Sequence, residues 1–483
     1  MFLDPDAGSG DRAVPARSIV VWSCAALGAA LSILVLYPGQ YPFDSAYQLW
    51  QARSGNYSNL SPVTMPVLWS VLLKLGGNPA SLFCLNLAMV WAGIALCADA
   101  LRWPAWLRGG FVLACGLWPL TLVQMAHLLS DAHLAAVLVL ATGLVADAAI
   151  RRGRATAWIA LGLLIYAGSI RHNALLAVVP FAAVLVALLS REGRAPRMHR
   201  AIAVIALVMA SALVGIAIDR IFVIERKVTW PTVALWDIAA VSVAVDELLL
   251  PPFTHGPGMS AAELRETGAF NPTSNIYLFT SSRSGIGGGI TRPFPPDELA
   301  QLRRAWWSAA TAHGSAYPRH RIRTFGLLAG PRTGPHQGAS YYVDRVAFQD
   351  NPELPQPLAA DLQWRFYAFA ESVRSSLWFN AVPALVLIVV AVVLAWRRRG
   401  MLLADVAFAA ALSMLLYAGS FLVLAPSAEL RYLTWPIVAA PLALALAVMR
   451  RPRTGGRRSR AENQIGSTAT AFGKDAGCRA QRS

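Results

Sequence analysis

Ser130 to Arg154 reads SDAHLAAVLVLATGLVADAAIRRGR, and this stretch decides the fold class. Ser130-Asp131-Ala132-His133 opens it, an apolar run carries it through 149, and Arg151-Arg152-Gly153-Arg154 closes it. An α-helix needs about 20 mostly apolar residues to cross the hydrocarbon of a bilayer. The run therefore predicts a crossing with a polar mouth at one end and arginines at the other. Lys and Arg gather on the cytoplasmic side of short connections, so the Ser130 mouth is expected to open outward.

Working outward, the pattern repeats. Apolar runs occupy 18–37, 80–101, 107–127, 156–170, 174–190, 201–222, 378–396, 401–424 and 431–449, which with 131–149 predicts ten crossings. Arg102 and Arg108, Arg191 to Arg200, Arg397-Arg398-Arg399 and the tail beyond Met449 fall on the arginine face. Asp44, Arg171-His172-Asn173, Glu429-Leu430-Arg431 and one long insertion fall on the other. The run over 61–76 opens with Pro62 and Pro66, carries Lys74, and would invert every later loop if it spanned. It reads as a re-entrant or interfacial helix after an amphipathic helix over 44–53.

Composition agrees with this class. The chain is 56% hydrophobic and 14% charged, with a mean hydropathy of +0.48, too apolar for a soluble protein of this length. The net charge of +16 raises the question of nucleic acid. More than half of the 42 Lys and Arg residues, however, sit in the proposed cytoplasmic segments, where they set orientation and meet anionic lipid. No nucleic-acid partner is expected. Cys24, Cys84, Cys97 and Cys115 lie in apolar runs and Cys478 in the tail, so no disulfide framework holds the insertion.

The expected organisation is a cytoplasmic tail (1–17), a transmembrane bundle (18–222) with its first outer loop at 38–79, and an extracytoplasmic insertion of mixed structure (223–377). C-terminal transmembrane helices (378–449) and a basic, disordered cytoplasmic tail (450–483) follow. The first run ends at Tyr37-Pro38-Gly39 without a small-residue cleavage site, which predicts a retained helix over a signal peptide. Within the insertion, 296–311 and 318–328 read as helices, and Trp306-Trp307 with the second of them suggests a roof over the outer mouth. The glycines at 285 and 287–289 lack the GxxxxGK[ST] pattern of a phosphate loop and read as a turn.

Candidate site residues follow from chemistry at that mouth. Asp44 is the one carboxylate of the 38–79 loop; it can serve as a base or cap the helix it precedes. Arg171, with His172 and Asn173 beside it, and Arg431 can grip a phosphate bidentately. Each also reads as an interfacial anchor or an ion-pair partner, of Asp131 in the first case, and beside an aromatic belt of Tyr432 and Trp435 in the second. Asp131 is expected at the mouth, since a charge at the bilayer centre costs roughly 2.5 to 3.5 kcal/mol. Asp237 reads as a second carboxylate of the site or a turn residue. His127, Asp131 and His133 match no metal signature, and no metal ligand is assigned.

Tyr37-Pro38-Gly39, Asp44-Ser45-Ala46-Tyr47-Gln48, Gln51-Ala52-Arg53-Ser54-Gly55 and Pro62 resemble bacterial integral membrane proteins related to the GT-C glycosyltransferases. That superfamily includes the protein mannosyltransferase and aminoarabinose transferase groups. Ser130-Asp131, Arg171-His172-Asn173-Ala174, Asp237-Ile238-Ala239-Ala240 and Arg431-Tyr432-Leu433 extend the resemblance over most of the chain. It implies a GT-C-like fold in the bacterial cytoplasmic membrane with both termini cytoplasmic. It also implies an inverting transfer from a polyprenyl-phosphate-linked sugar to a glycan, lipid or protein acceptor. Asp44 stands where the family has its catalytic acid, and Asp131, Arg171, His172, Asn173, Asp237 and Arg431 stand as substrate contacts. No cofactor is certain, although a divalent cation is compatible with the family.

One departure counts. Such relatives carry an acidic residue and then His-Pro-Pro in the first loop, whereas this chain has Asn59-Leu60-Ser61-Pro62-Val63. A changed substrate, or a homologue that binds the carrier without turning it over, is equally compatible with that change. A transporter or flippase of a lipid-linked or anionic solute is the reading from another class.

Overall fold

The computed structural model describes residues 17–190, 196–280, 293–330 and 345–449. The glycine run and the tail over 450–483 lie outside them. The first elements are α1 (Ile19–Leu36), α2 (Phe43–Ser54), β1 (Tyr57–Ser58), α3 (Thr64–Lys74), α4 (Ser81–Ala100), α5 (Ala105–Gly116) and α6 (Pro119–Ala126). There follow α7 (Ser130–Arg151), α8 (Arg154–Ile170), α9 (Ala174–Leu189) and α10 (Arg197–Phe222). Next come β2 (Val223–Glu225), α11 (Trp230–Val245), α12 (Ala261–Glu266), α13 (Ile276–Thr280), α14 (Pro296–Ala312), α15 (Ala316–Ala329) and α16 (Ala360–Ser372). The chain ends in α17 (Val382–Arg397), α18 (Leu402–Leu424) and α19 (Thr434–Ala447).

Every one of the ten predicted apolar runs is helical. Among the described residues six helices are long and apolar enough to cross a membrane, seven if the bent α5 and α6 count as one span. The protein is thus an α-helical membrane protein. α8, α9 and α17 are apolar but shorter, at 17, 16 and 16 residues. The run over 107–127 is not one straight helix: α5 and α6 meet at 52°. Pro119 lacks an amide hydrogen, and its ring biases Trp118 out of the helical region, so the helix breaks there.

α7 is the central post. Within its membrane window 89% of residues are buried, against 11% for α10. α4, α8, α18 and α19 surround α7. Close approach of α4 to α7 depends on two glycines: a Cβ on Gly93 would lie 2.5 Å from the Val139 carbonyl oxygen, and one on Gly143 2.6 Å from the Gly93 oxygen. α10 instead exposes Ile202, Ile205, Met209, Leu213 and Ile216 along its length. Such a face is stable only against lipid or another apolar surface.

The insertion is helical among its described residues, not mixed as its turn-rich sequence suggests. Its strand content is β2, which pairs in parallel with β1 and ties the first loop to the start of the insertion. Ala234, Leu235 and Ile238 of α11 pack with Leu264, Leu278 and Leu302 in a separate apolar core. α11 is the longest of the helices the sequence reading lacks; α12, α13 and α16 are the others among the described residues of the insertion. α14 and α15 fall where helices are expected, and α2 and α3 stand where the two non-crossing helices are expected.

Candidate functional site

Main-chain pairing fixes the first loop over the start of α7. The Gln40 amide donates to the Ala126 carbonyl at 2.8 Å, and the Leu128 amide to the Gln40 carbonyl at 3.3 Å. Ser45 Oγ then donates to the Leu128 carbonyl at 2.8 Å. From above, Asn351 Nδ2 donates to the Ala46 carbonyl at 2.8 Å, and Arg53 Nη1 to the Asp350 carbonyl at 2.7 Å. α2 is clamped between bundle and insertion.

Asp44 is not the cap of α2. Pro42 holds the N-cap position, and Asp44 lies in the first turn without a capping hydrogen bond. Its carboxylate instead accepts from Arg431 Nη1 at 2.6 Å, and its side chain remains 48% exposed. Arg431 sits in the short turn before α19, where its Nε also lies 2.5 Å from Glu429. Glu429 accepts from Ser427 Oγ at 2.7 Å. The guanidinium is thus held between two carboxylates.

The second pair is deeper. Arg171, in the turn between α8 and α9, lies 2.7 Å from Asp131 in the first turn of α7. Asp131 is 3% exposed. Arg171 also donates to Ser130 Oγ at 3.2 Å, and Tyr417 of α18 donates to Asp131 at 3.4 Å. Burial works against the Arg171 charge, but Asp131, Tyr417 and Tyr432 outweigh it, and the guanidinium pKa is raised. The Tyr432 ring joins the two pairs, with the Arg171 guanidinium carbon 5.6 Å and that of Arg431 5.4 Å from its centre. A stacked Phe421 at 5.2 Å supports the ring from behind.

The predicted residues therefore divide. Asp44, Asp131, Arg171 and Arg431 converge. Asn173 turns to Ser420 of α18, donating at 3.2 Å, and His172 is exposed in the same turn. Asp237 stands apart from them: it is fully buried in α11, accepting from Arg321 Nη2 at 2.5 Å and Trp306 Nε1 at 2.9 Å. Arg321 Nη1 donates to the Ala425 carbonyl at the end of α18. Asp237 thus fastens the insertion to the bundle, and its helix position, unread in the sequence, excludes a turn. Ser61, at the departure from the family pattern, accepts from Gln48 Nε2 at 3.1 Å.

Chemically the group is not an open basic cradle. Three carboxylates face two guanidinium groups, and each arginine already has an acidic partner. Still, among the described residues neither Arg171 Nη2 nor Arg431 Nη2 has a hydrogen-bond partner, and the two side chains are 20% and 24% exposed. Glu429, Tyr417 and Tyr432 are members the sequence reading passed over as site residues. Glu429 and Tyr432 flank Arg431 and were legible by adjacency; Tyr417 carries no such signal. His133 leaves the group altogether, bonded at 2.7 Å to both Asn86 and Tyr166 inside the bundle. No group of three metal-ligating side chains occurs among the described residues. Compared with family models, curated proteins and solved structures, the chain matches none.

Proposed function

We propose that the chain is a GT-C-like glycosyltransferase with ten membrane crossings, in a bacterial cytoplasmic membrane with both termini inside. Its donor is a sugar on a polyprenyl-phosphate carrier, and its acceptor a hydroxyl of a cell-envelope glycan, lipid or protein. Asp44 takes the acceptor proton as the new glycosidic bond forms at the anomeric carbon. The bond to the carrier phosphate breaks with inversion, and that phosphate leaves with the electron pair. Arg171 and Arg431 offer their remaining N–H groups to it. The observation that carries this reading is the meeting of the half-exposed Asp44 with Arg431 at the same mouth as the Asp131–Arg171 pair.

A transport path is less well supported. Between His133 and Asp147 the buried post α7 offers one polar side chain, Thr142, and its hydroxyl is turned back to the Leu138 carbonyl. The second reading, a homologue that binds the carrier without turnover, is favoured by Ser61, whose hydroxyl is engaged by Gln48 where relatives place acid and imidazole. Incubating the purified protein with radiolabelled polyprenyl-phosphate sugars and envelope acceptors separates the two. Transfer that depends on Asp44 supports the enzyme. Donor binding with no release of carrier phosphate supports the homologue, and neither binding nor transfer refutes both.

A further inference from the structure

At the other end of the bundle, α8, α9 and α10 pack side by side and leave a groove of about 290 Å³ between them. Trp158 and Leu161 of α8, Leu185 and Leu189 of α9, and Ala203 and Leu207 of α10 form its walls. Small-molecule clefts begin at about 300 Å³, so this one takes a chain and not a bulky ring system. Its walls are apolar throughout. A polar or charged solute has no partner there.

The end of the groove is different. Arg154 is the first residue of α8, one turn before Trp158 and two before Leu161, so helical spacing sets all three on one face. Arg200 stands in the same relation to Ala203 and Leu207 on α10. Arg154 is exposed, and Arg200 is half-buried with a buried Nε that has no hydrogen-bond partner among the described residues. α8 and α10 also both begin at this end, adding the positive ends of two helix dipoles. An apolar trough with two guanidinium groups at its mouth is complementary to one kind of molecule: acyl chains bearing an anionic head.

We propose that the groove between α8, α9 and α10 is a binding site for an anionic phospholipid, its acyl chain along Trp158, Leu185 and Leu207 and its phosphodiester between Arg154 and Arg200. Basic pockets between helices are recognised lipid-headgroup sites. The site is separate from the Asp44 mouth and independent of any transferase activity.

Native mass spectrometry of the full chain, released from nanodiscs holding equal phosphatidylglycerol and phosphatidylcholine, tests this. The parent should retain phosphatidylglycerol in preference to phosphatidylcholine. Arg154→Ala with Arg200→Ala should lower that retention about 30-fold, as expected for two surface charges. Ala203→Trp, which fills the groove, should lower it without touching either arginine, and Arg303→Ala, an exposed arginine of α14 in the insertion, should leave it unchanged. Equal retention of the two lipids, or unchanged retention in the double variant or in Ala203→Trp, would overturn the proposal. So would thermal stabilisation of the parent by inorganic phosphate alone matching that by phosphatidylglycerol, since the acyl groove would then contribute nothing.

Discussion

Arg431 Nη1 lies 2.6 Å from Asp44 Oδ2 although 387 positions separate the two in the chain. The contact joins the helix that follows the first crossing to the turn that precedes the last. Arg431 cannot relax toward solvent without leaving Glu429 as well. Asp44 is therefore aimed by its partner, a side chain that stays cationic.

Asp44→Asn tests the role of that carboxylate. A half-exposed ion pair contributes about 0 to 1 kcal/mol, so the melting temperature in detergent should barely move. Sugar transfer should fall by about 100-fold or more, the ordinary reach of a general base. Full transfer in this variant would move the base elsewhere, and because Pro42 occupies the cap position, loss of a helix cap could not account for a decline.

The Asp131–Arg171 pair should respond in the opposite way. Asp131 is 3% exposed, and removing one partner of a buried pair costs about 3 to 5 kcal/mol because the other charge is left unanswered. Arg171→Ala should lower the melting temperature sharply, and adding Asp131→Asn should restore part of the loss. A double variant as unstable as the sum of its singles would show that the two residues act separately.

The helices were legible because hydrocarbon imposes length and composition on a crossing. The break at Pro119 was legible in principle, since proline is the one residue there without an amide hydrogen. α11 was not: sixteen residues, mostly apolar, read neither as a full crossing nor as a surface helix, and the charge of Asp237 in its centre makes sense only once Arg321 is beside it. Asp44 and Arg431 were legible as candidates by type and position. Their pairing was not, because it depends on how the insertion and the α18–α19 connection close over the first loop. The Ala428 amide donating to the Thr273 carbonyl at 2.7 Å is part of that closure, and no local pattern announces it.

Glycine at the α4–α7 crossing should be far less replaceable than glycine on the lipid face. Gly93→Ala puts a methyl 2.5 Å from the Val139 carbonyl, where backbone must move, while a Cβ on Gly162 of α8 meets nothing within 4 Å. Overpacking of this kind costs about 1 to 3 kcal/mol, whereas Gly→Ala at an unhindered helical position gains about 0.4 to 1 kcal/mol. Thermal melts of the two variants should therefore shift in opposite directions. Equal shifts would mean that α4 and α7 are not in close contact.

Asp237 offers the sharpest separation of structure from chemistry. Its carboxylate is fully buried and Arg321 is 4% exposed, with Arg321 bridging α11, α15 and the end of α18. Arg321→Ala alone should loosen the insertion, read as faster cleavage within 223–377 by limited proteolysis, because Asp237 would be buried without a counter-charge. Replacing both, Asp237→Leu with Arg321→Met, removes the charges together and keeps the volume. Such swaps are often neutral or stabilising by about 1 to 4 kcal/mol, so the protease-resistant insertion should return. Donor binding and transfer should return with it, since Asp237 faces Arg321, Trp306 and His320 and not the Asp44 mouth. A double variant that resists protease and melts normally, yet no longer binds the polyprenyl-phosphate sugar, would make Asp237 a substrate ligand after all.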